Sequence, residues 1–196
     1  MARILVTGGA GFVGSSVAEA LLKEGDDVVA LDDLSTGDRA NVPARVDLIV
    51  ADIVDAGALE RALERRRFDA IVHCASRTKV LESVEKPDLY QRVIVDGTRN
   101  MLVVGSRCGA RDFVNFSSGG VIYGETPTCA GEDVPPAPIS PYGTCKAAAA
   151  REASRHERWS SPGRSGTCST AGSDPNTVVI AVTSALMLVA TPVPTL

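Results

Sequence analysis

Thr7-Gly8-Gly9-Ala10-Gly11-Phe12-Val13-Gly14 is the stretch of the chain that decides the fold. It follows the apolar run Arg3-Ile4-Leu5-Val6 and leads into residues 15–22, whose apolar side chains recur at helical spacing. This order predicts a strand, a tight turn and a helix. The glycines let the main chain approach a phosphate, and the helix N-terminus offers free N–H groups and the positive end of its dipole. The stretch therefore favours a dinucleotide phosphate site over an ordinary structural turn.

A strand that ends in a carboxylate follows at the spacing such a site requires. Asp27-Val28-Val29-Ala30-Leu31 is an apolar strand candidate that closes on Asp32-Asp33, and Asp32 lies 18 residues past Gly14. A carboxylate about 20 residues beyond the glycines accepts hydrogen bonds from the adenosine ribose and repels a 2′-phosphate. The spacing predicts NAD rather than NADP as the cofactor. The alternative is a surface-loop acid, because Asp is common in turns.

Further apolar runs alternate with helical patterns along the chain. The strand candidates are residues 46–51, 70–75 and 112–116, and the helical stretches are residues 57–67 and 88–107. This alternation predicts an α/β fold of the Rossmann type, a doubly wound parallel sheet in a three-layer αβα arrangement. Because ligands of such sheets bind beyond the carboxyl ends of the strands, we expect Gly8, Asp32, Asp52 and Ala75 to meet at one crevice.

Composition excludes several classes of protein. The net charge of -4 over 196 residues gives no basic excess for nucleic acid or an anionic membrane, and the run Arg65-Arg66-Arg67 is interpreted as the solvated end of a helix. Five scattered cysteines without a CxxC spacing indicate neither a disulfide framework nor a zinc site. With two histidines and a strand directly at the N-terminus, we expect no metal, no secretion and a cytoplasmic location.

A second chemical motif lies late in the chain. Ser140 can cap a helix and Pro141 suits its first turn, so Tyr142 and Lys146 would share one helix face. An ammonium held near a phenol lowers the pKa of the tyrosine from about 10 towards neutrality and makes it a general base for a hydroxyl. Such a pair is a surface contact in most helices. After a dinucleotide-type sheet, the catalytic interpretation is favoured.

These motifs together resemble the extended short-chain dehydrogenase/reductase family, and in particular the sugar-nucleotide epimerases of the UDP-glucose 4-epimerase type. The matching motifs are Gly8-x-x-Gly11-x-x-Gly14, Leu31-Asp32-Asp33-Leu34-Ser35, Ala51-Asp52-Ile53, His73-Cys74-Ala75-Ser76, Gly97-Thr98, Ser117-Ser118-Gly119-Gly120-Val121-Ile122-Tyr123-Gly124 and Pro141-Tyr142-Gly143-x-x-Lys146. The resemblance covers residues 1 to about 150 and stops in the segment from 147 to 155.

The resemblance implies a site for NAD and a catalytic group. The residues it places around the cofactor are Gly8, Gly11, Phe12, Val13, Gly14, Asp32, Asp33, Leu34, Ser35, Thr36, Gly37, Asp52, Ile53, Cys74, Ala75, Ser76, Tyr142 and Lys146. In the family, the position of Tyr142 takes the proton of a sugar hydroxyl as hydride leaves the same carbon. The position of Lys146 binds the nicotinamide ribose and tunes the tyrosine, and a 4-keto sugar receives the hydride on its other face.

Three single-residue departures from the family pattern affect the expected site. Gly119 stands where the family often has Ser or Thr, so the hydroxyl that bridges substrate and Tyr142 must come from Ser118 or be absent. Ile94 replaces an Asn before the Gly-Thr pair, which removes a polar contact near the cofactor. Cys145 replaces the usual Ser before the lysine, a mild change.

The last fifth of the chain departs from the family altogether. Of residues 160–177, 13 of 18 are Ser, Thr, Gly or Pro, which predicts a linker or disorder. Val178 to Ala190 is an uncharged apolar run of 13 residues, shorter than the ~20 that cross a bilayer, and is predicted to be a strand or a buried helix. We expect an NAD-binding domain over residues 1–158 and an atypical linker with a short apolar tail over 159–196. A truncation or shifted reading frame after about residue 150 would account for the missing C-terminal substrate domain.

The resulting functional hypothesis is an NAD-dependent epimerase of UDP-sugars in galactose metabolism, impaired in this chain. A homodimer stays open. The alternatives are a non-catalytic NAD-binding fragment and another extended short-chain reductase. A 4,6-dehydratase is disfavoured because Gly119-Gly120 cannot supply the acid pair which that chemistry needs.

Overall fold

The computed structural model describes residues 1–125, 134–156 and 178–181. Most of the irregular loop predicted for residues 125–138, the whole linker predicted for 160–177 and the apolar residues 182–190 lie outside this description. Within the described residues, no helix is both long and apolar enough to cross a membrane.

A parallel sheet forms the centre of the molecule. Its strands are β1 (Arg3–Thr7), β2 (Asp27–Asp32), β3 (Asp47–Val50), β4 (Ala70–His73), β5 (Asp112–Phe116) and β6 (Val178–Ala181). They lie in the order β3-β2-β1-β4-β5-β6 and every pair is parallel. This is the doubly wound order in which two halves meet between β1 and β4, so the Rossmann-type prediction is confirmed.

The sixth strand comes from the apolar run near the end of the chain. Val178–Ala181 lies alongside β5 in register, with Phe113 opposite Val178 and Phe116 opposite Ala181. Of the two structures predicted for this run, the strand is the one found at residues 178–181.

Helices lie between successive strands except between β2 and β3, where a loop contains a single 3₁₀ turn, Arg39–Asn41. The helices are α1 (Phe12–Lys23), α2 (Ala56–Leu63), α3 (Val80–Glu85), α4 (Pro87–Tyr90), α5 (Gly97–Arg107), α6 (Gly119–Ile122) and α7 (Pro141–Arg155). A π-helical segment, Gln91–Asp96, joins α4 to α5, so the long helix predicted for residues 88–107 is present but interrupted. The separate helix α3 was not predicted.

Alternating strand residues separate two cores, one on each face of the sheet. The core on one face contains Leu5, Leu31, Ile71 and Phe113 and packs against α2 and α5. The core on the other face contains Ile4, Val6, Val28, Ala30 and Val72 and packs against the apolar side of α1. Both faces are covered, which explains why the strands are apolar throughout rather than alternating.

Two predicted boundaries were wrong. Helix α2 ends at Leu63, not Arg67, because Arg65 has a left-handed backbone (φ 63°) and the Arg66 N–H bonds the Leu63 carbonyl. The basic run therefore lies beyond the helix. Strand β4 ends at His73 rather than Ala75. The residues that follow lie against the glycine turn, where Gly8 is close to the main chain of Ala75.

Candidate functional site

The glycine turn between β1 and α1 packs main chain directly on main chain. Gly8 has φ +68°, and a Cβ there would lie 2.7 Å from the Ala75 nitrogen. A Cβ on Gly14 would overlap the Gly8 carbonyl oxygen. Phe12, the first residue of α1, is 86% exposed. The turn thus leaves the helix N-terminus open to a phosphate, because side-chain bulk is absent where the backbone must come close.

Asp32 ties the glycine turn to the loop after β2. Its Oδ2 accepts a hydrogen bond from the Ala10 N–H at 3.0 Å, and its Oδ1 accepts one from the Leu34 N–H at 2.8 Å. The side chain is buried, and each carboxylate oxygen keeps a second lone pair for another donor. The surface-loop alternative is therefore wrong, since this acid holds the turn itself.

The loop that follows closes over the same turn. The Ala10 carbonyl accepts hydrogen bonds from the Asp38 N–H at 3.0 Å and from Asn41 Nδ2 at 2.9 Å. A Cβ on Gly37 would lie 2.8 Å from the Ala10 carbonyl carbon. Asn41 was missed from the sequence, because nothing in its surroundings signals a partner 31 positions away.

Residues of α5 contact the segment that follows β3 and hold it in place. Asp52 is exposed and accepts a hydrogen bond from the Val54 N–H at 2.8 Å, whereas Ile53 is buried. Asn100 Nδ2 donates to the Ile53 carbonyl at 2.9 Å, and a Cβ on Gly97 would lie 2.6 Å from Ile53 Cδ1. Asn100 was also missed, although Gly97 belonged to a recognised motif.

A buried histidine joins the ends of β1 and β4. His73 Nδ1 lies 2.7 Å from Thr7 Oγ1, and Nε2 lies 3.0 Å from Thr98 Oγ1. Because Thr98 Oγ1 also donates to the Ile94 carbonyl at 2.5 Å, it accepts from Nε2–H, so the neutral ring carries its proton on Nε2. Burial, together with the Lys146 ammonium, lowers the pKa of His73 to about 3.

Thr7 extends this hydrogen-bond network to the main chain of Ala75, beside the crevice. The Ala75 N–H donates to Thr7 Oγ1 at 3.3 Å, and Ala75 is the residue that Gly8 approaches. Cys74 packs against the core on the α1 face, and burial raises the pKa of its thiol to about 12. Residues 74–76 therefore present main chain, rather than a reactive thiol, to the crevice.

Tyr142 and Lys146 lie on one buried face of α7, as predicted. Ser140 caps this helix by accepting from the Gly143 N–H at 3.1 Å, and Pro141 is its first residue. Tyr142 is 7% and Lys146 6% exposed. Lys146 Nζ donates to the carbonyl of Phe116, the last residue of β5. The pair is therefore not a solvated surface contact.

The predicted lowering of the Tyr142 pKa was wrong for this structure. Burial raises the pKa of Tyr142, and the hydrogen bond with the Ser118 side chain lowers it in part. Ser118 is thus the hydroxyl next to the phenol, which was one of the two options that Gly119 left open. Burial lowers the pKa of Lys146 to about 8, and its charge acts on His73 and Cys74.

A Lys146→Met variant is expected to change the pH dependence of stability. The folded-state pKa of about 8 lies below the ordinary 10.5, so the unfolded chain binds the extra proton between these values. The wild type should gain about 3 kcal/mol of stability as pH rises from about 8 to 10.5, relative to the variant. Urea unfolding at a series of pH values measures the difference. Lys23→Met on the exposed face of α1 controls for the loss of one charge, and parallel curves for wild type and Lys146→Met would contradict the expectation.

The predicted site residues fall into two groups. Tyr142, Lys146, Ser118, Cys74 and Ala75 surround the carboxyl ends of β4 and β5, linked by the contacts described above. The group on the β2 and β3 side contains the residues expected around adenosine, and half of these are exposed: Asp33, Ser35, Thr36 and Asp52. In the part of the chain that the structure describes, no cluster of three or more His, Cys, Asp or Glu side chains could hold a metal ion.

Comparison with known proteins places this geometry in context. The model of the NAD dependent epimerase/dehydratase family matches residues 4–171. UDP-glucose 4-epimerase of Azospirillum brasilense is 43% identical over 147 residues, which are 74% of this chain and 41% of that protein. The enzyme of Streptomyces lividans is 42% identical over 74% of this chain and 45% of its own length. The chain thus spans less than half the length of these relatives.

Solved structures share the fold. UDP-glucose 4-epimerase of Thermus thermophilus in complex with NAD has a TM-score of 0.72 and 42% identity, covering 76% of this chain and 49% of its own. The Thermotoga maritima enzyme with UDP-glucose has a TM-score of 0.73 and 32% identity, covering 79% of this chain and 52% of its own.

Proposed function

Because the chain belongs to the NAD dependent epimerase/dehydratase family, we propose that it binds NAD and carries the cofactor half of a sugar-nucleotide epimerase of the UDP-glucose 4-epimerase type. One observation carries the proposal: Tyr142 and Lys146 are buried on the same face of α7, and the Ser118 side chain is near enough to the phenol to lower its pKa. A buried phenol beside a hydroxyl, at the carboxyl ends of parallel strands, is suited to proton transfer with an alcohol substrate.

The described residues fit a dinucleotide. A Cβ on Gly8 or on Gly14 would collide with main chain, so only glycine allows the close turn that these two residues form. The first turn of α1 offers N–H groups to a pyrophosphate. Asp32 keeps lone pairs for ribose hydroxyls after its two main-chain bonds. Ile53 is the buried neighbour expected beside adenine, and the main chain of Ala75 would lie along the dinucleotide.

The proposed roles of the reacting groups follow from their positions. NAD, when bound, accepts a hydride from a sugar carbon and returns it. Tyr142 acts as a base in its phenolate form, which the hydrogen bond from the Ser118 side chain favours because it lowers the pKa of the phenol. In that form Oη takes the proton of the sugar hydroxyl and later gives it back, and Ser118 orients both groups. Lys146 binds the nicotinamide ribose and supplies positive charge to the site. Burial keeps water away from Tyr142 and Lys146, which strengthens electrostatic interactions at the site.

The domain division and cellular role belong to the same proposal. We propose that residues 1–158 form the cofactor-binding domain and that residues 159–196 are an atypical segment which contributes β6. The substrate would be a UDP-sugar in galactose metabolism in the cytoplasm. Neither nucleic acid nor a membrane is a proposed partner, and a homodimer is compatible with this role.

The chemistry is tested with Tyr142→Phe. Wild type is expected to bind NAD in calorimetry and to convert UDP-glucose to UDP-galactose only slowly, in keeping with the impaired activity expected from the sequence. Removing the general base should lower this rate by at least about hundredfold, while the affinity for NAD stays within about twofold. Tyr123→Phe, a half-buried tyrosine of the neighbouring segment, serves as the matched control. Equal turnover by Tyr142→Phe and wild type would remove Tyr142 from the mechanism.

A second candidate is a non-catalytic NAD-binding fragment. The observation that favours it is the coverage of only 41–45% of the two relatives' lengths. Binding of NAD without binding of UDP-glucose would support this candidate, and absence of NAD binding would exclude both. Net production of NADH from an alcohol, without epimer formation, would instead indicate a short-chain reductase.

A further inference from the structure

Ser83 on α3 contacts the main chain of Tyr142 across a helix interface. Its side chain is fully buried, and Oγ accepts a hydrogen bond from the Tyr142 N–H at 3.1 Å while donating to the Val80 carbonyl at 2.5 Å. The first N–H groups of a helix have no partner within it. In the first turn of α7, Pro141 has no N–H, and the N–H of Gly143 donates to Ser140 Oγ. The N–H of Tyr142 therefore finds its acceptor, Ser83 Oγ, on a different helix.

Tyr90 on α4 contacts the side chain of Tyr142. The two rings meet edge to face, with centroids 6.1 Å apart and planes at 79°, the arrangement that aromatic pairs prefer. Tyr90 is fully buried, and both side chains belong to one apolar cluster with Ile94, Cys145 and Ala149. The ring of Tyr142 thus packs against a fully buried aromatic neighbour.

The hydroxyl of Tyr90 reaches the segment that follows β4. It donates to the Lys79 carbonyl at 2.6 Å and accepts from the Lys79 N–H at 3.0 Å, with Glu82 Oε2 at 3.1 Å. Glu82 is also close to Arg77 Nη1, at 3.8 Å. One buried side chain therefore fixes both the ring of Tyr142 and the end of the segment that begins at Cys74.

We infer that Ser83 and Tyr90, together called the brace, are positioning residues for Tyr142. Ser83 fixes its backbone, Tyr90 fixes its ring, and the phenol is thereby held against Ser118. The inference rests on the proposed role of Tyr142 in proton transfer. It assigns a task to α3 and α4, which otherwise contribute none of the reacting groups.

The brace is tested in the full chain by hydrogen exchange and by NMR titration of ring-labelled tyrosine, both without cofactor. Ser83→Ala should accelerate exchange of the Tyr142 amide about tenfold, because one hydrogen bond of ordinary strength is lost. It should also change the pKa of Tyr142, since both the burial that raises it and the bond with Ser118 that lowers it depend on where the phenol is held. Ser106→Ala is the matched control, because Ser106 Oγ makes the same kind of bond to the Val103 carbonyl, at 2.8 Å, on α5.

Two Tyr90 variants distinguish the contribution of the aromatic ring from that of the hydroxyl. Tyr90→Phe should accelerate exchange at Lys79 and leave the pKa of Tyr142 unchanged, whereas Tyr90→Leu should change the pKa of Tyr142. Wild-type exchange and titration of Tyr142 in both Ser83→Ala and Tyr90→Leu would overturn the inference. A wild type that fails to bind NAD would overturn the proposed function instead, since neither brace measurement requires the cofactor.

Discussion

Gly14→Ala is expected to destabilise the protein by at least about 2 kcal/mol and to weaken NAD binding more than about tenfold. The added Cβ would overlap the Gly8 carbonyl oxygen, and the nearest atoms are all main chain of the glycine turn. Backbone cannot rotate away as a side chain can, so α1 must shift relative to β1. The helix N-terminus would then leave the position that suits a phosphate. Urea unfolding and calorimetry with NAD measure the two effects.

Gly120→Ala provides the control for this substitution. Gly120 lies in α6, and a Cβ there has no atom within 4 Å. An alanine in open space should change stability by no more than about 0.5 kcal/mol and leave NAD affinity unaltered. A Gly14→Ala protein as stable as Gly120→Ala would show that the turn can relax, and would contradict the proposed backbone cradle.

His73 is expected to make the fold sensitive to acid. Its pKa is lowered from 6.5 to about 3 in the folded state, so between these values the unfolded chain binds a proton that the folded chain does not. Stability should fall as pH drops from about 6.5 towards 3, by about 5 kcal/mol in total from this residue. His73→Gln should remove this part of the pH dependence.

The comparison is made by urea unfolding of both proteins from pH 7 downwards. At pH 7 the variant should be the less stable protein, because its hydrogen bonds with Thr7 and Thr98 are lost or altered. The two curves should then converge as the pH falls. Curves that stay parallel would mean that His73 is protonated in the folded state, and would contradict the neutral tautomer assigned to it.

Much of the fold could be predicted from local patterns. The strand–turn–helix at Gly8 to Gly14, the carboxylate at the end of β2 and the capped helix at Ser140 are all found where the sequence placed them. Each is a local feature, in which residue type and spacing are enough. Alternation of apolar runs with helical stretches was likewise sufficient to predict a parallel sheet, because crossover connections allow few topologies.

The errors and omissions concern contacts between distant segments. Lowering of the Tyr142 pKa by Lys146 was inferred from their spacing, yet burial raises that pKa and Lys146 donates to the Phe116 carbonyl instead. Ser83 lies 59 positions from Tyr142 and His73 lies 66 from Thr7. No spacing rule connects such pairs, and their roles follow only when the helices and strands are packed.

The sequence by itself determined the order of strands and helices, the glycine turn and the residue types of the proposed NAD site, because these depend on backbone freedom and on periodic burial of apolar side chains. Only the tertiary structure decided the protonation of the site and the support of Tyr142. Desolvation and hydrogen bonding depend on what lies within a few ångströms in space, and in this protein those neighbours come from α3, α4, α5 and β5, far away along the chain.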